Sequence, residues 1–155
     1  MSQAAIRDRI RVVLDSVDNI GVVHDYERFN SDLSRFMALF RTKVNNIDQI
    51  RGAQIVYRGF TQQLDSTCDI MRFHNFLVIT FLGVDDGEET AKTAADLVAA
   101  IVDDLDSDAT LNSAASYVGL VPSQIDIFEP RVFGDVLCHY SEIRKTVPEE
   151  FNWSA

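Results

Sequence analysis

The apolar residues of this chain recur with two different periods, and the switch between them limits what it can fold into. Ile6, Ile10, Val13, Leu14 and Val17 lie on one face of a helix, with Arg7, Asp8, Arg9 and Arg11 largely off it and Ser2 placed as its cap. Ala94, Leu97, Val98, Ile101 and Leu105 form a second stripe of the same kind, ended by Ser107 and Asp108. From Gln54 the period falls to two, with Ile55 and Tyr57 on one face and Val56, Arg58 and Phe60 on the other. The run from Ile70 to Leu82 is long enough to span a whole sheet, and the polar stretch Gln62 to Asp69 before it reads as the long tip of an antiparallel hairpin.

The weaker segments fit between these. Ile20, Val22 and Val23 read as a short buried strand. A helix follows, capped by Asn30 or Ser31, carrying Leu33, Phe36, Met37 and Phe40, and broken at Asn45 and Asn46. Asp85, Asp86 and Gly87 signal a turn, and Glu88 and Glu89 suit the first turn of the third helix, where negative charge complements the helix dipole. After a loop of small residues from Ser113 to Ser116, two strands are expected, Gln124 to Glu129 and Val132 to Arg144, separated by Pro130. The 155 residues then make one α+β domain over 1–147, a mainly antiparallel sheet with helices packed on one face, followed by a tail over 148–155.

Charge narrows the function classes. The chain has 24 acids against 14 bases, a net charge of -10 that opposes binding to nucleic-acid phosphates over any broad surface. Purely apolar stretches such as Phe76 to Ile79 are far too short to span a membrane, and the charged start of the chain does not read as a secretory signal. Two cysteines, Cys68 and Cys138, are too few for a disulfide scaffold and suggest reduced thiols in a cytoplasmic setting.

No constellation completes a reactive site. Asp104, Asp106 and Asp108 begin like a calcium loop, but Ala109 stands where the turn needs glycine and Ala115 where a glutamate should close the sphere. Asp85, Asp86, Glu88 and Glu89 are explained as a turn and a helix start. His24, His74, His139, Cys68 and Cys138 have no zinc spacing, and Cys138 and His139 should point to opposite faces of a strand. A nucleophilic Cys138 approached by His74 is the enzyme alternative, set against a small buried thiol. The seven glycines form no phosphate-binding run, and the aromatic strands carry only Arg58 and Arg72 as bases, which favours a core or a protein interface over stacked nucleic acid. The reading therefore includes no cofactor and no metal.

The order of these segments has a counterpart. The run Gly21 to Phe29, a helix with Phe36 and Phe40, a strand with Arg58, the run Arg72 to Phe76, Gly83 followed by Asp85 and Asp86 before a long helix, and the run Phe133 to Tyr140 together resemble small tail-completion proteins of long-tailed phages and phage-like particles, tail terminators most of all. The resemblance extends from about Ile6 to Arg144, and the strand from Gln54 to Tyr57 lacks a tryptophan that the pattern carries. It implies a virion structural protein and no enzyme: a homo-hexameric ring at the head-proximal end of the tail tube, which stops tube polymerisation and meets a head-closure or connector protein. It also implies assembly in the host cytoplasm, with DNA passing through the lumen without specific binding. The alternatives are a head-closure or other neck connector, a small enzyme using Cys138, and an unrelated binding module. Two sets of residues then acquire expected roles. The tip residues Gln62, Gln63, Leu64, Asp65, Ser66 and Thr67 would form a subunit or tail interface, and Glu89, Asp96 and Asp103, seven residues apart, would line the lumen as an acidic stripe.

Overall fold

Each long helix forms where its stripe requires one. A computed structural model describes residues 1–65 and 69–152. Helix α1 (Gln3–Ser16) buries Ile6, Ile10, Val13 and Leu14, and the Ser2 side chain accepts from the Ala5 amide at 3.3 Å. Strand β1 (Val22–His24) follows. Helix α2 (Leu33–Ala38) is only six residues long, and its cap is Asp32, whose carboxylate accepts from the amides of Ser34 and Arg35. The cap expected at Asn30 or Ser31 is therefore displaced to Asp32.

The expected continuation of that helix to Asn45 is replaced by β2 (Arg41–Val44), which turns directly into β3 (Ile47–Leu64). Asn45 and Asn46 have φ of 53° and 63°, and Val44 pairs with Ile47, so the two asparagines are the corners of a two-residue hairpin. β4 (Asp69–Gly83) returns antiparallel to β3. A short 3-10 turn over Asp86–Glu88 leads to α3 (Thr90–Ser107), so Glu88 and Glu89 precede that helix, with Glu89 in left-handed backbone at φ 53°. α3 buries Ala94, Leu97, Val98, Ile101 and Leu105, the stripe expected of it. A four-residue helix α4 (Ala115–Val118) occupies part of the expected small-residue loop.

β5 (Gln124–Phe133) runs through Pro130 without a break, because it is the outermost strand and a residue without N–H costs nothing on its free side. The turn falls at Gly134 instead, and β6 (Val136–Asn152) extends well past Arg144. Residues 148–152, expected as a tail, pair with β4 from Phe73 back to Asp69.

The result is a mixed α+β fold around a six-stranded, mostly antiparallel sheet in the order β1-β3-β4-β6-β5, with β2 on β3 and one parallel pair, β1 with β3. Helices α1 and α3 cover one face, packing on Ala53, Ile55, Phe76, Val78, Ile143 and Val147. The short α2 lies on the other face, where Met37 and Phe40 meet Val56, Ile79, Phe81, Cys138 and Tyr140, so a single helical face holds for the two long helices and not for α2.

Candidate functional site

β3, β4 and β6 are longer than the layers that cover them. From Ile55 onward β3 pairs only with β4, and from Lys145 onward so does β6, which leaves a three-stranded arm whose outer edges have no sheet partner among the described residues. Gly59, at φ +88°, makes the bulge where the register shifts between Tyr57 and Phe60. That extra residue reverses the alternation, so Phe60 lies on the face of Tyr57 and His74, opposite to the expected placement.

The arm carries apolar surface. Phe60, Leu64 and Phe151 are 47%, 73% and 37% exposed, and the Arg72 guanidinium lies between the rings of Phe60 and Phe151, 5.2 and 4.2 Å from their centres. Of the expected tip residues, Gln62, Gln63 and Leu64 belong to β3, Asp65 begins the bend, and Ser66 and Thr67 lie outside the described residues together with Cys68. Gln62 accepts from Arg72 Nε at 2.9 Å.

Where the arm leaves the helices, a polar chain is enclosed. His74 is 3% exposed; its Nδ1 lies 3.0 Å from the Tyr57 hydroxyl and its Nε2 2.6 Å from Glu149. Burial and the Glu149 carboxylate push the Tyr57 phenol up. Both His74 nitrogens are engaged, and Cys138 sits near the far end of β6, against Gly83 of β4. The Cys138 thiol is fully buried, donates to Met37 Sδ at 3.6 Å, and is pushed up to about 11 by burial, so it is held as a thiol near neutral pH. His139 faces the other way, 2.9 Å from Thr90 Oγ1.

The acids that begin like a calcium loop are turned to internal use. Asp106 accepts from the Ser123 amide and hydroxyl and from Lys145 Nζ at 2.9 Å; Lys145 is fully buried and also donates to Asn112 Oδ1 and the Val121 carbonyl. Burial raises the Asp106 carboxyl, and the bonds from Lys145 and Ser123 more than reverse it, so it titrates below the usual carboxylate range. Asp108 is held low by the Arg9 guanidinium, 2.6 Å away, and also accepts from the Leu111 amide.

Glu89, Asp96 and Asp103 are all exposed. Only the latter two are in α3; Glu89 precedes it and pairs with Lys92 at 3.0 Å. Asp96 belongs to a crevice that sequence reasoning missed, centred on Arg51 of β3. Arg51 is 9% exposed, burial holds its guanidinium below the ordinary value, and its Nε has no acceptor among the described residues. Gly21 is required beside it, since its φ is +83° and a Cβ there would stand 2.1 Å from the Arg51 carbonyl oxygen. A lone arginine at the start of a strand carries no sequence signal that its partners will be absent. No protein-family model matches the chain and no curated protein matches it.

Proposed function

We propose that the protein is a virion structural component, a tail terminator whose copies form a homo-hexameric ring on the finished tail tube, end its polymerisation and join it to the head. The observation that carries this reading is the arm: three long strands with no sheet partner on either outer edge among the described residues and with exposed Phe60, Leu64 and Phe151 on them. A second, unlike apolar surface lies on the outer strand β5, where Ile125, Phe128 and Val132 are 50%, 47% and 65% exposed. A closed ring built head to tail needs two different complementary surfaces on each copy, and these are two. The net charge of -10 suits a ring through which DNA passes, because it disfavours adhesion to the wall.

The buried, protonated Cys138 favours this structural role over a thiol enzyme. The acidic residues Glu89, Asp96 and Asp103 do not carry the reading, since Glu89 is paired with Lys92 and Asp96 borders the Arg51 crevice. Electron microscopy of the purified protein mixed with tail-tube protein tests it. Rings seated at one end of the tubes are expected. Rings that seat only on a portal or its adaptor would make the protein a head-closure component instead, and no ring with either partner would end the reading.

A further inference from the structure

Arg51 is a cation without a counter-ion in contact. It lies on the helical face of β3, under the end of α1 and the flank of α3, and makes no ion pair within 4.0 Å among the described residues. An unpaired buried guanidinium is costly to fold around, and Arg51, whose enclosed Nε–H has no acceptor among the described residues, lines an open crevice, so this is a place where an acceptor from outside is welcome.

Two hollows meet at this group. One, about 350 Å³, is bordered by Asp18, Asp96 and Asp104; the other, about 490 Å³, by Asp48, Asp85 and Glu88; Arg51 and Thr93 line both. The charge pattern along the crevice is therefore acid, base, acid. Free phosphate is repelled by the carboxylates on both sides, and a simple cation by the guanidinium at the centre. A ligand with the opposite pattern, base, acid, base, satisfies all three.

We infer that the Arg51 crevice docks an extended segment of a partner protein in which one acidic residue lies between two basic ones. From Thr93 to Asp104 the helix rises roughly 16 Å, about five residues of extended chain. Residues an even number apart on an extended segment share a face, so an acid with bases four positions to either side presents all three charges to the crevice. Val44, Ile47, Ile50 and Leu82 supply apolar wall for the residues between them. The inference stands independently of the tail reading, and it gives Asp96 a bound base to face in place of a lumen.

The test is a titration of isotope-labelled protein with the peptide acetyl-Lys-Ser-Val-Ser-Glu-Ser-Val-Ser-Lys-amide, its Gln-for-Glu counterpart, and sodium phosphate at matched ionic strength, followed through the Arg51 Nε–H resonance. The Glu peptide should saturate about tenfold tighter than the Gln peptide or more and move that resonance. Arg51→Met should erase the preference without lowering the melting temperature, because it removes a buried charge that has no partner. Should the variant fail to fold, the resonance in the unaltered protein decides alone. Equal affinity of the two peptides, no saturable binding at millimolar concentration, or phosphate shifting the resonance as far as the Glu peptide would each overturn the inference, the last in favour of a small-anion site.

Discussion

From Arg51 to Val56 every residue of β3 is buried, while from Phe60 to Leu64 every residue of the same strand is exposed. The pairing with β4 runs through both stretches, interrupted only by the bulge at Gly59. What changes is the covering: Ala53, Ile55 and Val56 of the first stretch belong to the cores formed with α1, α3 and α2, and no residue of the second does. Backbone pairing of β3 therefore continues where burial of its own side chains has stopped, although Met71 opposite Gln63 remains buried. The body should carry the stability of the molecule and the arm its contacts with others.

That division can be broken most directly at the fully buried Lys145 ammonium. Asp106→Ala leaves Lys145 without its carboxylate and should cost about 3 to 5 kcal/mol in urea unfolding. A loss under half of that would mean that Asn112 and the Val121 carbonyl suffice. Leu97→Ala should cost about 2 to 4 kcal/mol, since the side chain is 6% exposed within the α1/α3 core; an unchanged melting temperature would show that the helical layer is not what holds the sheet.

Acid should weaken the body next. Asp106 and Asp108 have folded pKa values below their unfolded ones, so their contribution is present above the ordinary carboxylate value and is lost as pH falls through the depressed folded values. Asp108→Asn should flatten that part of the pH–stability curve measured by thermal unfolding. The smallest effect sharpens the other side of the comparison. Leu64→Ser, at a position 73% exposed, should change unfolding stability by less than about 0.5 kcal/mol yet reduce ring formation seen by sedimentation. A large destabilisation there would mean that the arm is part of the core after all.

The same contrast separates what the residues announced from what they concealed. The stripes of α1 and α3 were legible because five apolar side chains at helical spacing leave few other folds, and β4 because its apolar run is long. The β2–β3 hairpin was hidden because Phe36, Met37 and Phe40 keep helical spacing up to the point where the strand begins, and Asn45-Asn46 ends a helix as readily as it turns a hairpin. Pro130 read as a boundary because sequence does not say which strand is outermost. The sheet continuation through Pro148 read as a tail because Glu149, Glu150 and Asn152 are polar, and the pairing with β4 that orders them is not visible in the sequence. The arm was legible as a long hairpin, whereas the Arg51 crevice was not, since it depends on which acids fail to reach the guanidinium.

The position of β4 has a further consequence, for the order in which the molecule can be made. β4 is flanked on one side by β3, which precedes it, and on the other by β6, which follows only after α3, α4 and β5. During synthesis the β3–β4 hairpin can form early, but the whole second edge of β4, from Asp69 to Gly83, waits unpaired until β6 leaves the ribosome. Through that interval a nascent chain presents an open strand bearing Phe76, Val78 and Phe81. Translation that stalls within β6 should therefore yield aggregating fragments rather than a smaller folded protein.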